Sequence, residues 1–303
     1  MTDRIKRVRD YHVYTQSGRR LLDLALDDGG AVFGHRSSGI QAGFKRVIDR
    51  GSSVGLENRE TSRARGRLQQ WWQELFLEQG FDWPDWGLQY LPPGSRSYVD
   101  LIFAGQEISI LDIWDDYSQE QLDEALQSPL VLLVRPGWEY SAVKARLKDF
   151  LDQLIPNGKV WGVMPVLPIS AGITAQPLFL NPMAASPATA ADLPGELACY
   201  GMRAGVERFF CPQLPAVSQK RSDYIWFPPA FSRMGWQQWR GVGIYQFWQG
   251  SGEQYQELGQ LALDIGIVLP GSPGQPVITP AVLSKTESKL LDRLWRVSAG
   301  QQE

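Results

Sequence analysis

The central third of the sequence alternates short apolar runs with amphipathic segments, and this alternation limits the fold most strongly. PLVLLV at 129–134 is followed by AVKARLKDFLDQL at 142–154, with apolar residues at helical spacing, and then by KVWGVMPV at 159–166. ISILDI and EQLDEAL come before them, and they repeat the same order of an apolar run followed by an amphipathic segment. A continuous apolar run is typical of a strand covered on both faces. Strands separated by helices predict a mostly parallel sheet with helices packed on it.

The two ends of the chain show a different, α+β pattern. YHVYTQSGRRLLD at 11–23 predicts a hairpin that reverses at Ser17-Gly18, and helices are predicted over 38–51 and 64–80. Near the C-terminus, WRGVGIYQFWQ at 239–249 predicts one strand. IVLPGSPGQPVITPA predicts two short strands around a turn, and helices are predicted from EQYQELGQLALDIG and KTESKLLDRLWRV.

The segments between these regions are less regular. FDWPDWGLQYLPPGSRS at 81–97 is rich in Pro, Gly and Trp, and predicts a long ordered loop with at most one short strand. VDLIFA at 99–104 predicts a strand, and the small-residue-rich segment 169–193 predicts a loop. ELACYGMRAGVERFF at 196–210 predicts a helix.

Composition excludes several classes of function. The 303 residues are 43% hydrophobic and 21% charged, which is typical of a globular protein with a sizeable core. The net charge is −3 and the basic residues are scattered, so we expect neither a nucleic-acid nor a membrane partner. MTDRIKRVRD has no apolar leader, and no segment approaches the roughly 20 apolar residues that span a bilayer. A cytoplasmic protein is expected.

Few residues are available for histidine- or cysteine-based chemistry. The chain has two histidines, His12 and His35, and two cysteines, Cys199 and Cys211, with no spacing typical of metal ligands. Histidine is the commonest general base at neutral pH, so few mechanisms that depend on it can be built here. We expect no metal site and no disulfide framework.

Several segments resemble class III aminotransferases, pyridoxal-phosphate enzymes of fold type I, in the family's order. VYTQSGRRLLDLALDDGGAVFGHRSSGIQAGFKRVIDRG is similar to the family's D-G-R-x-Y-L-D hairpin, Gly-rich turn and G-H-x-x-P. ELACYGMRAGVERF resembles its domain-joining helix, and Arg240, Gly241 and Gly243 its R-G-x-G-L strand. Pro280 and Leu283 take the places of its P-P-L. The collinear order carries the resemblance, because no single motif is specific.

The resemblance implies a reduced fold type I architecture. We expect an α/β fold with a mostly parallel central sheet and helices on it, plus a small α+β domain built from the N- and C-terminal segments. The implied ranges are an N-terminal segment at 1–60, a large domain at 61–210 and a C-terminal small domain at 211–303. The family also implies a homodimer.

The residues that the family's chemistry needs are absent from their expected positions. Met164 and Pro165 take the places of the pyridinium-binding aspartate and the acid after it, and Arg135, before Pro136, takes the place of the E-P-V glutamate. Residues 165–196, where the Schiff-base lysine is expected, contain no lysine. The substrate-carboxylate arginine corresponds to Val277 or Ile278. The lysine forms the covalent anchor, and the aspartate keeps the pyridine nitrogen protonated so that the cofactor ring can act as an electron sink.

The first hypothesis is therefore a catalytically degenerate aminotransferase-like protein, a pseudoenzyme without cofactor and with a binding, regulatory or structural role. The Trp-rich passage WWQELFLEQGFDWPDWG is expected to fill the old pocket or form a subunit contact.

Two alternatives stay open. A divergent aminotransferase or aminomutase would hold pyridoxal phosphate through Lys159 or Lys220, with Gly94, Ser95 and Ser97 as weak phosphate-binding candidates, or a divergent enzyme would use the inherited cleft for different chemistry. A small-molecule binder would use the inherited cleft, with Tyr98, Arg135, Met164 and Ser170 as the candidates to face a ligand.

Overall fold

The chain divides into two compact units. The computed structural model describes residues 4–35, 38–51, 59–76, 86–91, 108–137, 140–154, 160–169, 174–181, 196–210, 224–225, 238–280 and 283–298. The first unit comprises Met1–Arg36, Trp114–Asp116 and Gln213–Glu303, and the second Ser37–Ile113 and Tyr117–Pro212. The first boundary thus comes before the helix at 38–49, whereas the predicted N-terminal segment ran to residue 60.

The second unit contains a five-stranded sheet and five helices among its described residues. Its strands are β4 Gly87–Leu91, β5 Ser109–Asp112, β6 Leu130–Val134, β7 Val160–Pro165 and β8 Gln176–Leu180. Its helices are α1 Ser38–Asp49, α2 Arg59–Leu75, α3 Gln119–Ala125, α4 Tyr140–Leu154 and α5 Glu196–Phe210. The predicted strand at 99–104 lies outside the described residues.

The sheet has the order β4-β8-β7-β6-β5 and is mixed. Strands β5, β6 and β7 are parallel neighbours, with Asp112 opposite Leu133 and Leu133 opposite Met164. Strand β8 is antiparallel to both β7 and β4. The parallel core matches the predicted strand–helix alternation, and the buried run LVLLV forms its middle strand.

Strand β8 corrects the sequence analysis, which predicted a loop over 169–193. Its five residues, QPLFL, are all buried between two antiparallel partners. The run is short and flanked by small residues, so its composition alone did not distinguish it from a loop. Its strand character comes from pairing with β4 and β7, which lie far away in sequence.

Helices α2 and α5 pack along each other in this unit. The buried side of α2 carries Leu68, Trp71, Trp72 and Leu75. The indole of Trp72 stacks on Phe179 of β8 with ring centroids 4.4 Å apart. The described tryptophans of the Trp-rich passage therefore supply core packing, and residues 77–85 of that passage lie outside the described residues.

The first unit combines the two ends of the chain in small sheets. Strands β1 Ile5–Arg9, β2 His12–Thr15, β3 Arg20–Asp23 and β12 Ile267–Val268 form one sheet in that order. The predicted hairpin is confirmed as β2 and β3. The remaining elements are β9 Tyr224–Ile225, β10 Trp239–Arg240, β11 Tyr245–Trp248, α6 Gly252–Ile265, β13 Val277–Ile278, β14 Leu283–Ser284 and α7 Lys285–Ser298.

Two predictions about the C-terminal strands change. The single strand predicted at 239–249 is a hairpin of β10 and β11, because Gly241 and Gly243 adopt positive φ angles of 143° and 67° and reverse the chain. The two strands predicted around a turn at 267–281 exist as β12 and β13 but join different sheets. Among the helices that the structure describes, none is both long and apolar enough to cross a bilayer.

Candidate functional site

The carboxyl ends of β5, β6 and β7 form the candidate site. Because these strands are parallel neighbours, Asp112 at the end of β5, Arg135 just after β6 and Met164 near the end of β7 lie at one edge of the sheet. Open α/β sheets bind their ligands at this edge.

A buried ion pair occupies two of these strand ends. Arg135 Nε donates a hydrogen bond to Asp112 Oδ2, and the residues are only 3% and 4% exposed. The backbone N–H of Asp112 donates to the Tyr117 hydroxyl at 3.0 Å. Arg135, predicted as a cleft candidate that faces a ligand, is thus bound to a carboxylate of its own chain. Two charges buried at close range stabilise each other and leave neither unpaired.

The third strand end is apolar. Met164 is 2% exposed and packs in a hydrophobic cluster with Val131, Leu178 and Leu180. Leu133 and Trp161 are partly buried against this cluster. The space around the Met164 side chain is therefore occupied by aliphatic groups, which cannot hold the proton of a pyridinium nitrogen.

Gln176 is a polar residue at this edge that the sequence analysis missed. It opens β8 opposite Leu91, is 1% exposed, and its Oε1 accepts a hydrogen bond from the Leu167 N–H at 3.4 Å. Its Nε2 is buried and has no partner within the described part of the chain. Gln176 lies in the segment that was predicted as a loop, so no strand pattern pointed to its burial.

Most of the other predicted site residues lie outside the described residues: Gly94, Ser95, Ser97, Tyr98, Lys159, Ser170 and Lys220. The lysines that the structure describes are Lys6, Lys45, Lys144, Lys148, Lys285 and Lys289, and none of these six is buried. A Schiff-base lysine needs shelter from water to lower its pKa, and none of these six has it.

The position expected for the substrate arginine is also apolar. Val277 and Ile278 form β13, are buried, and pair with Gln246 and Tyr245 of β11. Their side chains supply packing within the first unit and no charge for a substrate carboxylate.

Both histidines are held by carboxylates in the first unit. His35 Nε2 donates to Asp23 Oδ2 and His12 Nε2 to Glu287 Oε1, each at 2.6 Å. Burial alone would raise the pKa of Glu287, but hydrogen bonds from His12 and from the N–H and hydroxyl of Ser284 lower the pKa to about 2. These pairs join distant segments of the chain, and each leaves its imidazole bound to a carboxylate.

The cysteine that the structure describes is equally unsuited to nucleophilic chemistry. Burial in α5 raises the pKa of Cys199, so its thiol stays protonated at neutral pH. Within the described ranges, no three His, Cys, Asp or Glu side chains are grouped as metal ligands would be.

The resemblance implies pyridoxal phosphate as a cofactor, and its requirements can be compared with the residues at the carboxyl edge of the sheet. The carboxylate of this edge, Asp112, is bound by Arg135, and its third strand end is an apolar methionine. The cofactor needs a carboxylate at the ring nitrogen and a lysine for the aldimine. The described residues at this edge supply neither, and they do not fit the cofactor.

Comparison with known sequences finds only a short match, whereas comparison with solved structures identifies the fold. No known protein-family model matches the chain. A Treponema pallidum (strain Nichols) protein named only as an uncharacterized protein is 40% identical over 48 residues, which are 16% of each chain. The match therefore spans about a sixth of that relative's length.

Solved aminotransferases superpose on the whole chain. An S-selective transaminase from an Arthrobacter species has a TM-score of 0.61 at 11% identity, over 99% of this chain and 94% of its own. Ornithine aminotransferase from Plasmodium yoelii has 0.60 at 10%, over 99% and 93%. A glutamate-1-semialdehyde aminomutase from Pseudomonas aeruginosa PAO1 has 0.56 at 14%, over 99% and 88%. The chain therefore has a shortened fold type I architecture like that of the class III, pyridoxal-phosphate-dependent aminotransferases.

Proposed function

We propose that this protein is a catalytically degenerate aminotransferase-like protein whose role is binding, regulatory or structural. The observation that carries the proposal is the buried Asp112–Arg135 ion pair beside the apolar Met164 cluster at the carboxyl edge of the sheet. In an active enzyme of this fold, that edge would have to offer unoccupied polar groups to a cofactor and a substrate.

The ion pair opposes cofactor binding in two ways. A carboxylate that stabilises a pyridinium must be available to the ring, but Asp112 is already bound to a guanidinium. Separating a buried pair leaves an uncompensated charge, which costs about 3–5 kcal/mol. A pyridine ring that entered this edge would have to compensate for that cost through its own contacts with the protein.

The distribution of lysine supports the same proposal. The sequence has no lysine from 160 to 219, and all six lysines that the structure describes are exposed or half-exposed. We extend the proposal to a homodimer, on the basis of the resemblance, and to a cytoplasmic location. Native mass spectrometry should show twice the 34.1 kDa chain mass, and a 34.1 kDa species alone would contradict the dimer.

Borohydride trapping tests the loss of chemistry. Purified protein is incubated with pyridoxal phosphate, reduced with borohydride, and digested for peptide mass spectrometry. We expect scattered, substoichiometric labelling of surface lysines and no saturable absorption band near the visible edge. Lys159→Ala and Lys220→Ala test the remaining candidate anchors, and Lys289→Ala, at an exposed position of a helix, is the matched control. One saturable adduct that disappears in Lys159→Ala or Lys220→Ala, but persists in Lys289→Ala, contradicts the proposal.

A second candidate function is small-molecule binding at the same edge, which the buried Gln176 favours. A ligand carbonyl or carboxylate would satisfy its Nε2, which is unpartnered within the described residues. Thermal-shift screening with amino acids, keto acids and phosphates tests this, because a ligand that binds only the folded state raises the melting temperature. Gln176→Leu should abolish any such shift. A shift that persists in Gln176→Leu excludes this residue from the site.

A further inference from the structure

A groove on the surface of the second unit carries an excess of positive charge. It has a volume of about 460 Å³ and runs between α2 and α5. Its lining residues are Arg63, Gly66, Arg67, Gln70, Arg203 and Glu207. None of these residues belongs to the sheet edge, so the groove is a separate feature of this unit. Volumes of this size are typical of small-molecule sites.

A buried carboxylate fixes two of the three guanidinium groups. The side chain of Glu60 is 5% exposed, and it accepts hydrogen bonds from Arg63 Nη1 at 3.3 Å and Arg203 Nε at 3.1 Å. Burying a carboxylate is unfavourable unless cations compensate for it. Glu60 therefore restrains both arginines, and the side chains of Arg63 and Arg203 remain 43% and 19% exposed.

The second carboxylate of the groove is exposed and replaceable. Glu207 is 41% exposed, accepts a hydrogen bond from Arg203 Nη1 at 2.9 Å, and lies 3.6 Å from Arg67 Nε. Arg67 also donates from Nη1 to Gln70 Oε1 at 2.7 Å. Exposed ion pairs contribute little stability, so a ligand anion can displace Glu207 at small cost. Three guanidinium groups against two carboxylates leave the groove with one excess positive charge.

Gly66 keeps the floor of the groove open. It lies in the interior of α2, where glycine is disfavoured relative to alanine. Among the described residues, a Cβ atom at this position would meet no atom within 4 Å, so packing against them does not require the glycine. Because Gly66 lines the groove, a larger side chain at this position would occupy part of it.

The geometry points to a binding site for a small polyanion, a molecule that carries at least two phosphoryl or carboxylate groups. Arg63, Arg67 and Arg203 would bind it, because the planar fork of a guanidinium matches two oxygens of either group. The inference is independent of the proposed function, since it shares no residue with the sheet edge and requires no chemistry there.

Isothermal titration calorimetry on the full chain tests this site with tripolyphosphate, citrate and, as a monoanion, acetate. We expect one saturable site for tripolyphosphate, for citrate or for both, and none for acetate; the two polyanions distinguish phosphoryl from carboxylate ligands. Arg63→Gln and Arg67→Gln should each weaken binding about tenfold, which is the effect of one lost charge-assisted hydrogen bond. Arg59→Gln is the matched control, because Arg59 is exposed on the same helix but does not line the groove.

Gly66→Leu provides a test without a change of charge. Leucine favours the helix, so the variant should fold and melt at or above the native temperature while its side chain blocks the groove and abolishes binding. Three results would each overturn the inference: no saturable binding of either polyanion, equal losses in Arg59→Gln and Arg67→Gln, or unchanged binding in Gly66→Leu.

Discussion

Charged side chains are buried at the carboxyl edge of the sheet, whereas they line an open surface in the α2–α5 groove. At the edge, Asp112 and Arg135 are buried and bound to each other, and their neighbour Met164 is packed in aliphatic side chains. In the groove, Arg63 and Arg203 are restrained by a buried glutamate, and the Arg63 side chain is 43% exposed. Both lie in one compact unit. Under the proposed function, the conventional ligand position of the fold is closed while another surface of the same unit is open.

The largest loss of stability is expected when one partner of the buried Asp112–Arg135 pair is removed. Arg135→Met leaves the Asp112 carboxylate buried without its cation, and we expect a loss of about 3–5 kcal/mol in the free energy of unfolding. Urea denaturation measures it. The double variant Asp112→Leu with Arg135→Met should recover about 2 kcal/mol or more of that loss, because no buried charge remains. A single variant as stable as the native protein would mean that the pair is not buried.

A carboxylate in the place of Met164 tests whether the apolar cluster is filled. Met164→Asp should cost about 3 kcal/mol, because an unpaired carboxyl group replaces buried aliphatic contacts. The matched Met164→Leu should cost less than about 1.5 kcal/mol, since volume and polarity are conserved. Equal stabilities of the two variants in urea denaturation would indicate a solvated position at which a ligand has room.

Helical glycines distinguish the packed region from the open one. At Gly205 in α5, a Cβ atom would lie 2.9 Å from Leu167 Cβ and 3.0 Å from Ile169 Cγ2, in the segment that follows β7. Gly205→Ala should therefore cost about 1–3 kcal/mol through overpacking. Thermal and urea unfolding would measure the change. A neutral result would show that the segment after β7 can move away from α5.

The smallest expected effect is at Gly66, where the groove is open. Gly66→Ala should increase the free energy of unfolding by about 0.5–1 kcal/mol, because alanine favours the helix and no atom opposes its methyl group. Gly259→Ala in α6 is the matched control, since its Cβ would also meet nothing within 4 Å. If Gly66→Ala destabilises the protein while Gly259→Ala stabilises it, the groove floor is packed rather than open.

Sequence periodicity predicted the local structure well and the nonlocal structure poorly. The apolar run at 129–134 and the amphipathic segment at 142–154 became β6 and α4, because strand and helix periods are visible in a short window. Strand β8 was missed because its partners β4 and β7 supply its hydrogen bonds from distant parts of the chain. The β10–β11 hairpin was missed because two glycines with positive φ reverse a run that otherwise has strand composition.

The candidate site was predictable in position but not in its contacts. The sequence indicated that Met164 lies at the carboxyl end of a buried strand, and in the structure it is the penultimate, buried residue of β7. The partner of Arg135 was not foreseen, because Asp112 is 23 residues away and only the parallel register of β5 and β6 brings them together. The groove was missed for the same reason: Arg63 and Arg67 are one helical turn apart, but Arg203 comes from α5.

The most direct test of the account is a crystal structure of the protein grown with saturating pyridoxal phosphate. We predict that Arg135 remains bound to Asp112, that aliphatic side chains surround Met164, and that no cofactor density lies at the carboxyl edge of the sheet. Density for a pyridine ring beside Met164, with the Asp112–Arg135 pair separated or a lysine bonded to the cofactor, would contradict the central claim that this edge is closed.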